Sequence, residues 1–136
     1  MLMNEIPRIG VAIIVKKDHC VLLGKRLSPH GNGCWGFPGG HLEHGESVFD
    51  CAKRETFEET GVILKNLIKE PYTEDFFSDS NKHYITLFVS AEIESGTPQI
   101  KEPNKSQEWK WFEWNDLPKP LFTPIARLHE LGYTPY

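Results

Sequence analysis

Cysteine is scarce in this chain: Cys20, Cys34 and Cys51 are odd in number, widely spaced and form no C-x-x-C pair, which argues against a disulfide framework or a zinc knuckle. Reduced, partly buried thiols remain, and Cys51, beside Val48 and Ala52, falls on what should be the core side of a helix. No apolar run approaches the length of a membrane span, and the start, Met-Leu-Met-Asn-Glu-Ile-Pro-Arg, lacks the basic region and apolar run of a signal peptide. A cytoplasmic location is expected. Positive charge is not in surplus: a net charge of -4 and a pI near 5.8 offer no general attraction to nucleic-acid backbones or anionic membranes. Neither a nucleic-acid polymer nor a membrane is therefore expected as a partner, although an acidic protein can still hold a polyphosphate through metal. Repeats, low-complexity tracts and linkers are also missing. The 136 residues, 39% apolar and 12% aromatic, suffice for one core and are too few for two comfortable domains, so one domain over residues 1–136 is expected.

What is present concentrates between Gly39 and Val62, which reads GGHLEHGESVFDCAKRETFEETGV. From Pro38 to Gly45, one proline and three glycines within eight residues favour turns and close backbone approach, so this part reads as a loop. Ser47 can cap a helix, with Asp50 three residues on as the acidic partner of a capping-box-like start. The helix should run from about Ser47 to Thr60 and end at Gly61, where glycine adopts the left-handed conformation without steric cost. On it Glu55, Glu58 and Glu59 stand at i, i+3 and i+4, which confines them to an arc of roughly 100°. Like charges so placed cost a few tenths of a kcal/mol each in an isolated helix, and a hard divalent cation removes that cost. Magnesium, which prefers oxygen ligands and keeps several waters, suits this face better than calcium or zinc. Arg54, four residues before Glu58 and eight after Glu46, can orient the carboxylates from the side. An isolated E-x-x-E-E is ordinarily solvated surface, and only its surroundings change that reading.

Along the rest of the chain, Arg8 to Lys16 and Cys20 to Lys25 read as a hairpin joined by Lys17-Asp18-His19. Arg26 follows, either a solvated strand end or a phosphate contact, the second being preferred. Leu27 to Gly33 reads as a turn-rich loop leading to a short strand, Trp35-Gly36-Phe37. After the helix, Ile63 to Thr73 contains a strand and Glu74 to Lys82 is a polar connection. His83 to Ile93 alternates Tyr84, Thr86, Phe88 and Ser90 with Ile85, Leu87, Val89 and Ala91, as a central, covered strand would. Gly96 to Lys105 reads as a loop, Glu108 to Trp114 as an exposed edge strand, and Thr123 to Leu131 as a last helix with Ile125, Leu128 and His129 on one side. Trp109, Trp111, Phe112 and Trp114 lack neighbouring Lys/Arg density and read as core or interface rather than a base-stacking platform. His41 and His44 sit in the glycine loop, where a lone histidine is ordinarily solvated but substrate contact stays open.

Gly40, Glu46, Arg54, Glu55, Glu58, Glu59, Gly61 and Val62 together match G-x5-E-x7-R-E-U-x-E-E-x-G-U, the signature over residues 40–62 by which the chain resembles the Nudix hydrolases. Thr56 departs from it, standing where an apolar residue is usual. Strands around this box and the ending W-x-W-x-x-x-L-P (here Trp111, Trp114, Leu117 and Pro118) also resemble the family, while VLLGKR, FPGGHLEHGE, RETFEET, HYITL and ELGY look most like its MutT-type nucleotide triphosphate diphosphatase branch. The resemblance implies an α/β/α sandwich with a mixed central sheet. It implies that Gly39 offers a carbonyl to magnesium, with manganese as a substitute, that Glu55 and Glu59 are ligands, and that Glu58 is a further ligand or the base that activates water. A later acid often joins them, and Glu102 and Glu108 are both candidates.

The implied reaction is hydrolysis of a nucleoside triphosphate to the monophosphate and pyrophosphate. Phosphates would meet Arg26, Gly39 and Gly40, and the base would meet Phe37, Thr86, Phe122 and Ile125. Thr123-Pro124 departs from the aromatic-glycine pair of the relatives, so stacking on the base is expected to differ. The branch includes a eukaryotic homodimeric relative, which makes a homodimer the oligomer to expect by resemblance. Dinucleoside polyphosphates, nucleotide sugars and capped RNA are rival substrates of the family, although the downstream marks of ADP-ribose, diadenosine polyphosphate and NADH hydrolases are not evident. An inactive domain used as a nucleotide sensor or interaction module is the rival from another class, and such domains usually lose box glutamates that are all present here.

Overall fold

A computed structural model describes residues 5–28 and 31–136. Among the described residues nine elements follow in order: β1 (Arg8–Lys17), β2 (Cys20–Arg26), β3 (Trp35–Gly36), β4 (Gly39–His41), α1 (Val48–Thr60), β5 (Ile63–Phe77), β6 (Lys82–Ser95), β7 (Ser106–Glu113) and α2 (Thr123–Glu130). The expected hairpin forms, with Lys17 opposite Cys20 and the two turn residues Asp18 and His19 at φ 51° and 65°, the twist that two-residue hairpins demand. Pro29 and His30 of the expected turn-rich loop lie outside the described residues.

The sheet runs β3-β2-β1-β6-β5, with β4 added to β1 and β7 to β2. It is mixed, because β1 pairs parallel with β6 while β2, β4 and β5 pair antiparallel with their neighbours. As its two apolar faces predict, β6 is internal. Val11, Ile13, Val15, Leu22, Val89 and Ala91 form the core beneath α1, together with Cys51 and Ala52 of the helix. Ile14, Val21, Leu23, Phe88, Ile125 and Leu128 form the core beneath α2 on the opposite face. These two layers on a mixed sheet are the expected α/β/α sandwich. Among the described residues strand β7 pairs with β2 alone, so it is the expected edge, and its Trp109 and Trp111 pack against the α1 core.

Four local expectations are corrected. The glycine stretch is not all loop: Gly39, Gly40 and His41 pair antiparallel with Ala12, Val11 and Gly10. Gly39 is needed there because a Cβ would strike the carbonyl oxygen of Val11, so the absent side chain serves strand pairing rather than a turn. The strand expected at Ile63 to Thr73 continues to Phe77, through residues read as connection. Pairing with β6 draws them in, since Asp75 and Phe77 are buried opposite Tyr84 and Lys82. Finally, α2 ends at Glu130 and His129 is exposed, its ring lying 5.4 Å from that of Trp114.

Helix α1 starts and stops where its sequence requires. Ser47 Oγ accepts from the Asp50 backbone N–H at 3.0 Å, and Gly61 closes the helix at φ 78° with its N–H donating to Phe57 O. Thr56, at the position where the Nudix pattern has an apolar residue, is fully buried and its Oγ1 has no hydrogen-bond partner among the described residues. Burying an unpaired hydroxyl is unfavourable. Thr56→Val should therefore raise stability by about 1 kcal/mol in denaturant unfolding; a loss of similar size would show that the hydroxyl is satisfied.

Candidate functional site

The site forms where α1 lies across β4. Glu59 is 7% exposed, and its Oε2 accepts from the Gly39 backbone N–H at 3.0 Å. Glu55, 8% exposed, sits against Gly40, at which a Cβ would run into the Glu55 carboxyl group. The second glycine is thus required by the carboxylate, as the first is required by β1. Burial pushes Glu59 up to about 8, with the charges of Glu55 and Glu102 adding to it and the Gly39 hydrogen bond opposing it. Burial also raises Glu55, against the lowering effect of Arg54. Desolvation disfavours an ionised carboxylate, so both groups stand to gain from a cation beside them.

Arg54 occupies the flank that the sequence assigns to it. It makes a two-point contact with Glu46, Nε to Oε2 at 3.1 Å and Nη2 to Oε1 at 2.8 Å, and its Nη1 donates to Glu55 Oε1 at 2.8 Å. Nη2 also reaches the carbonyl of His41 at 3.3 Å. The hydrogen bonds from Arg54 hold Glu46 at about 2, and those to Glu46 raise Arg54 in turn. A planar guanidinium with five donors can tie loop and helix together in this way, which an ammonium group cannot do as well.

Glu58 is not brought to the same point. Its side chain is 46% exposed and lies 3.4 Å from Arg54 Nη1, the nitrogen that already donates to Glu55 at 2.8 Å. Sharing an arc of the helix places Glu58 at its rim, while Glu55 and Glu59, four apart, stack toward β4. Among the described residues no three carboxylate, imidazole or thiol groups converge into a ready-made cage. Two buried carboxylates beside the Gly39 backbone still fit a cation that keeps water and takes substrate oxygens, as magnesium does. The structure separates the two later acids. Glu102 is close enough to raise Glu59 and lies 3.6 Å from Lys105 Nζ, whereas Glu108 faces Lys110 on β7.

A cavity of about 500 Å³ opens beside these carboxylates. Every expected phosphate- and base-contacting residue lines it: Arg26, Phe37, Gly39, Gly40, Thr86, Phe122 and Ile125. Arg26 is neither a solvated strand end nor an idle cation. Its guanidinium lies 3.8 Å from the centre of the Phe122 ring, donates from Nη2 to Ser28 Oγ at 3.2 Å, and is lowered by burial. Phe122 in turn stacks on Phe77, centroids 5.4 Å apart and planes 15° from parallel.

Residues not singled out from the sequence also line the cavity. Tyr84 and Phe88 were legible by alternation with Thr86 on β6. Phe77 was hidden because its segment read as connection, and Lys105 because nothing marks it in its loop. Of the loop histidines, His41 lines the cavity with its Nε2 2.7 Å from Tyr84 Oη, and burial lowers it; His44 is exposed.

The chain belongs to the Nudix family of hydrolases: the NUDIX domain profile matches residues 6–131. It is 34% identical over 118 residues to an ADP-ribose pyrophosphatase of Methanocaldococcus jannaschii, covering 85% of this chain and 68% of that one. It is 32% identical over 111 residues to an oxidized purine nucleoside triphosphate hydrolase of Mus musculus, covering 82% and 69%. The crystal structure of a MutT Nudix hydrolase from Burkholderia pseudomallei superposes with a TM-score of 0.86 at 30% identity, over 93% of this chain and 99% of that one. Among the described residues no helix is long and apolar enough to cross a membrane.

Two predictions follow from this geometry. Arg54→Ala should lower kcat/KM by about 10- to 100-fold, a loss of about 1 to 3 kcal/mol as Glu55 and Glu46 reorient; a lower melting temperature with unchanged turnover by the folded fraction would make the arginine merely structural. The second concerns pH. Glu59 is higher in the folded chain, at about 8, than its ordinary 4.5, so the folded state binds the extra proton. Its stabilising contribution is complete below the ordinary value and is lost as pH rises through about 8. Melting in cation-free buffer should show that decline, and Glu59→Gln should flatten it; equal slopes in both proteins would contradict the burial of this charge.

Proposed function

We propose that the chain hydrolyses nucleoside triphosphates, canonical or modified, between the α- and β-phosphates, giving a nucleoside monophosphate and pyrophosphate, with magnesium as cofactor and manganese as a substitute. The observation that carries this reading is one cavity with two kinds of wall. Glu55, Glu59 and the Gly39–Gly40 backbone make the polar part of its lining, and Phe37, Phe122 and Ile125 belong to the apolar part. A polyphosphate needs the first and a base the second.

In this reading Gly39, Glu55 and Glu59 hold the cation, with Glu102 as the later acid. A bound cation would neutralise the phosphate charge and polarise phosphorus toward in-line attack by water. Arg54 fixes Glu55 through its shared hydrogen bonds. Glu58, at the exposed rim, is placed to enter the site by a side-chain rotation away from Arg54, as a further ligand or as the base that takes the proton of the attacking water. Arg26 and Lys105 supply positive charge at the cavity for the phosphates, and the Gly40 backbone lines it beside Glu55. Base discrimination falls to mostly apolar side chains, which separate similar ligands by only about 1 to 3 kcal/mol. Several triphosphates should therefore be turned over, purines fastest.

The likeness to the purine triphosphate hydrolase supports this reading. The likeness to the ADP-ribose pyrophosphatase supports the rival, a diphosphate-linked substrate such as a dinucleoside polyphosphate or nucleotide sugar. Product analysis in oxygen-18 water across ATP, GTP, CTP, UTP and their deoxy forms, beside diadenosine polyphosphates and ADP-ribose, separates them. Label in the monophosphate or pyrophosphate from several triphosphates is expected, with turnover abolished in Glu59→Gln at saturating magnesium. Release of orthophosphate alone, or activity confined to the dinucleotide-type substrates, would overturn the triphosphate reading.

A further inference from the structure

Thr86 lines the cavity with the apolar Phe37, Phe88 and Ile125, and its hydroxyl proton is already committed. Thr86 Oγ1 donates to Asp75 Oδ2 at 2.9 Å, and Thr73 Oγ1 donates to the same oxygen at 2.8 Å. Asp75 is fully buried, and its other oxygen, Oδ1, lies 3.4 Å from Arg127 Nε, at ion-pair distance without hydrogen-bond alignment. Two hydroxyls on one oxygen and a guanidinium facing the other are the surroundings an ionised carboxylate takes.

A carboxylate of this kind only accepts, whereas a hydroxyl has one proton and two lone pairs. Both threonines must then turn their protons toward Asp75. What Thr86 retains for a ligand is lone pairs alone, so a carbonyl oxygen set against it would meet acceptor with acceptor, and an amine would be satisfied.

We propose that Thr86 selects nucleobases presenting an exocyclic amine over those presenting a carbonyl at the same position, and that Asp75 is the positioning residue that fixes Thr86 as an acceptor. The inference rests on the nucleotide reading above and adds to it a sense of base selection that the apolar wall cannot supply. Apolar side chains discriminate by shape, and an amine and a carbonyl oxygen differ little in shape. They differ in hydrogen-bond sense, which a fixed acceptor reads.

Two matched pairs test this, ATP with ITP and CTP with UTP, because each keeps the ring skeleton and exchanges an amine for a carbonyl, the adjacent ring nitrogen gaining a proton; the Thr86 variants isolate the exocyclic contact. Dissociation constants are measured with the α,β-methylene triphosphates, and kcat/KM with the hydrolysable ones. The amine-bearing member should bind about tenfold more tightly in at least one pair, the scale of one net hydrogen bond. Thr86→Val should bring that ratio to about one and Thr86→Ser should restore it. Asp75→Asn, whose amide can donate as well as accept, should also lower the ratio by releasing the Thr86 proton; should it fail to fold, the two Thr86 variants decide. Equal affinities within both pairs, a preference for the carbonyl members, or a ratio untouched by Thr86→Val would overturn the inference. Analogues that bind with the expected ratio while no triphosphate is turned over would overturn the proposed function instead and leave this reading standing.

Discussion

Glu59 is a carboxylate placed almost out of reach of water with another carboxylate, Glu55, one helical turn away, and the surrounding structure serves to tolerate that pair. Water would ordinarily solvate both charges. Here one backbone N–H, from Gly39, and one guanidinium, from Arg54, are the direct partners. Neither neutralises Glu59, which remains far above the ordinary carboxylate range. A cation beside such a group would favour its ionised form, because an opposite charge offsets the desolvation of a buried carboxylate.

The fold explains how these groups are held still. Strand β4 is only three residues long, yet it is fixed on one side by pairing with β1 and on the other by α1, whose glutamates leave no space for a side chain at Gly40. Arg54 bridges the helix to the loop after β4 through Glu46 and the His41 carbonyl. The long β5–β6 pair carries Thr86 to the lining of the same cavity, with the buried Asp75 bonded to it. The carboxylates and the apolar side chains thus line one cleft, and the sheet carries both.

Much of this was legible because it is local. The cap at Ser47, the stop at Gly61 and the stacking of Glu55 with Glu59 depend on offsets within one helix, and the spacing of Glu46 from Arg54 foretold their contact. What escaped depends on partners far along the chain. Gly39 and Gly40 announce a turn to a local reading, and only the presence of β1 and Glu55 makes them a strand. Asp75 looked like loop polarity until β6 buried it. Glu58 could be placed within an arc but not on its outer rim, because the direction of a side chain at the edge of that arc is decided by Arg54. Telling Glu102 from Glu108 required knowing that Glu102 comes close enough to act on Glu59 while Glu108 meets Lys110 on β7.

The central claim, that Glu55 and Glu59 together form a cation site, is tested most directly by equilibrium manganese binding followed by electron paramagnetic resonance. The unmodified protein and the Glu108→Gln variant should bind the ion alike, while Glu55→Gln and Glu59→Gln should each weaken binding by at least about tenfold. Binding that persists unchanged in both of the latter variants would contradict the account.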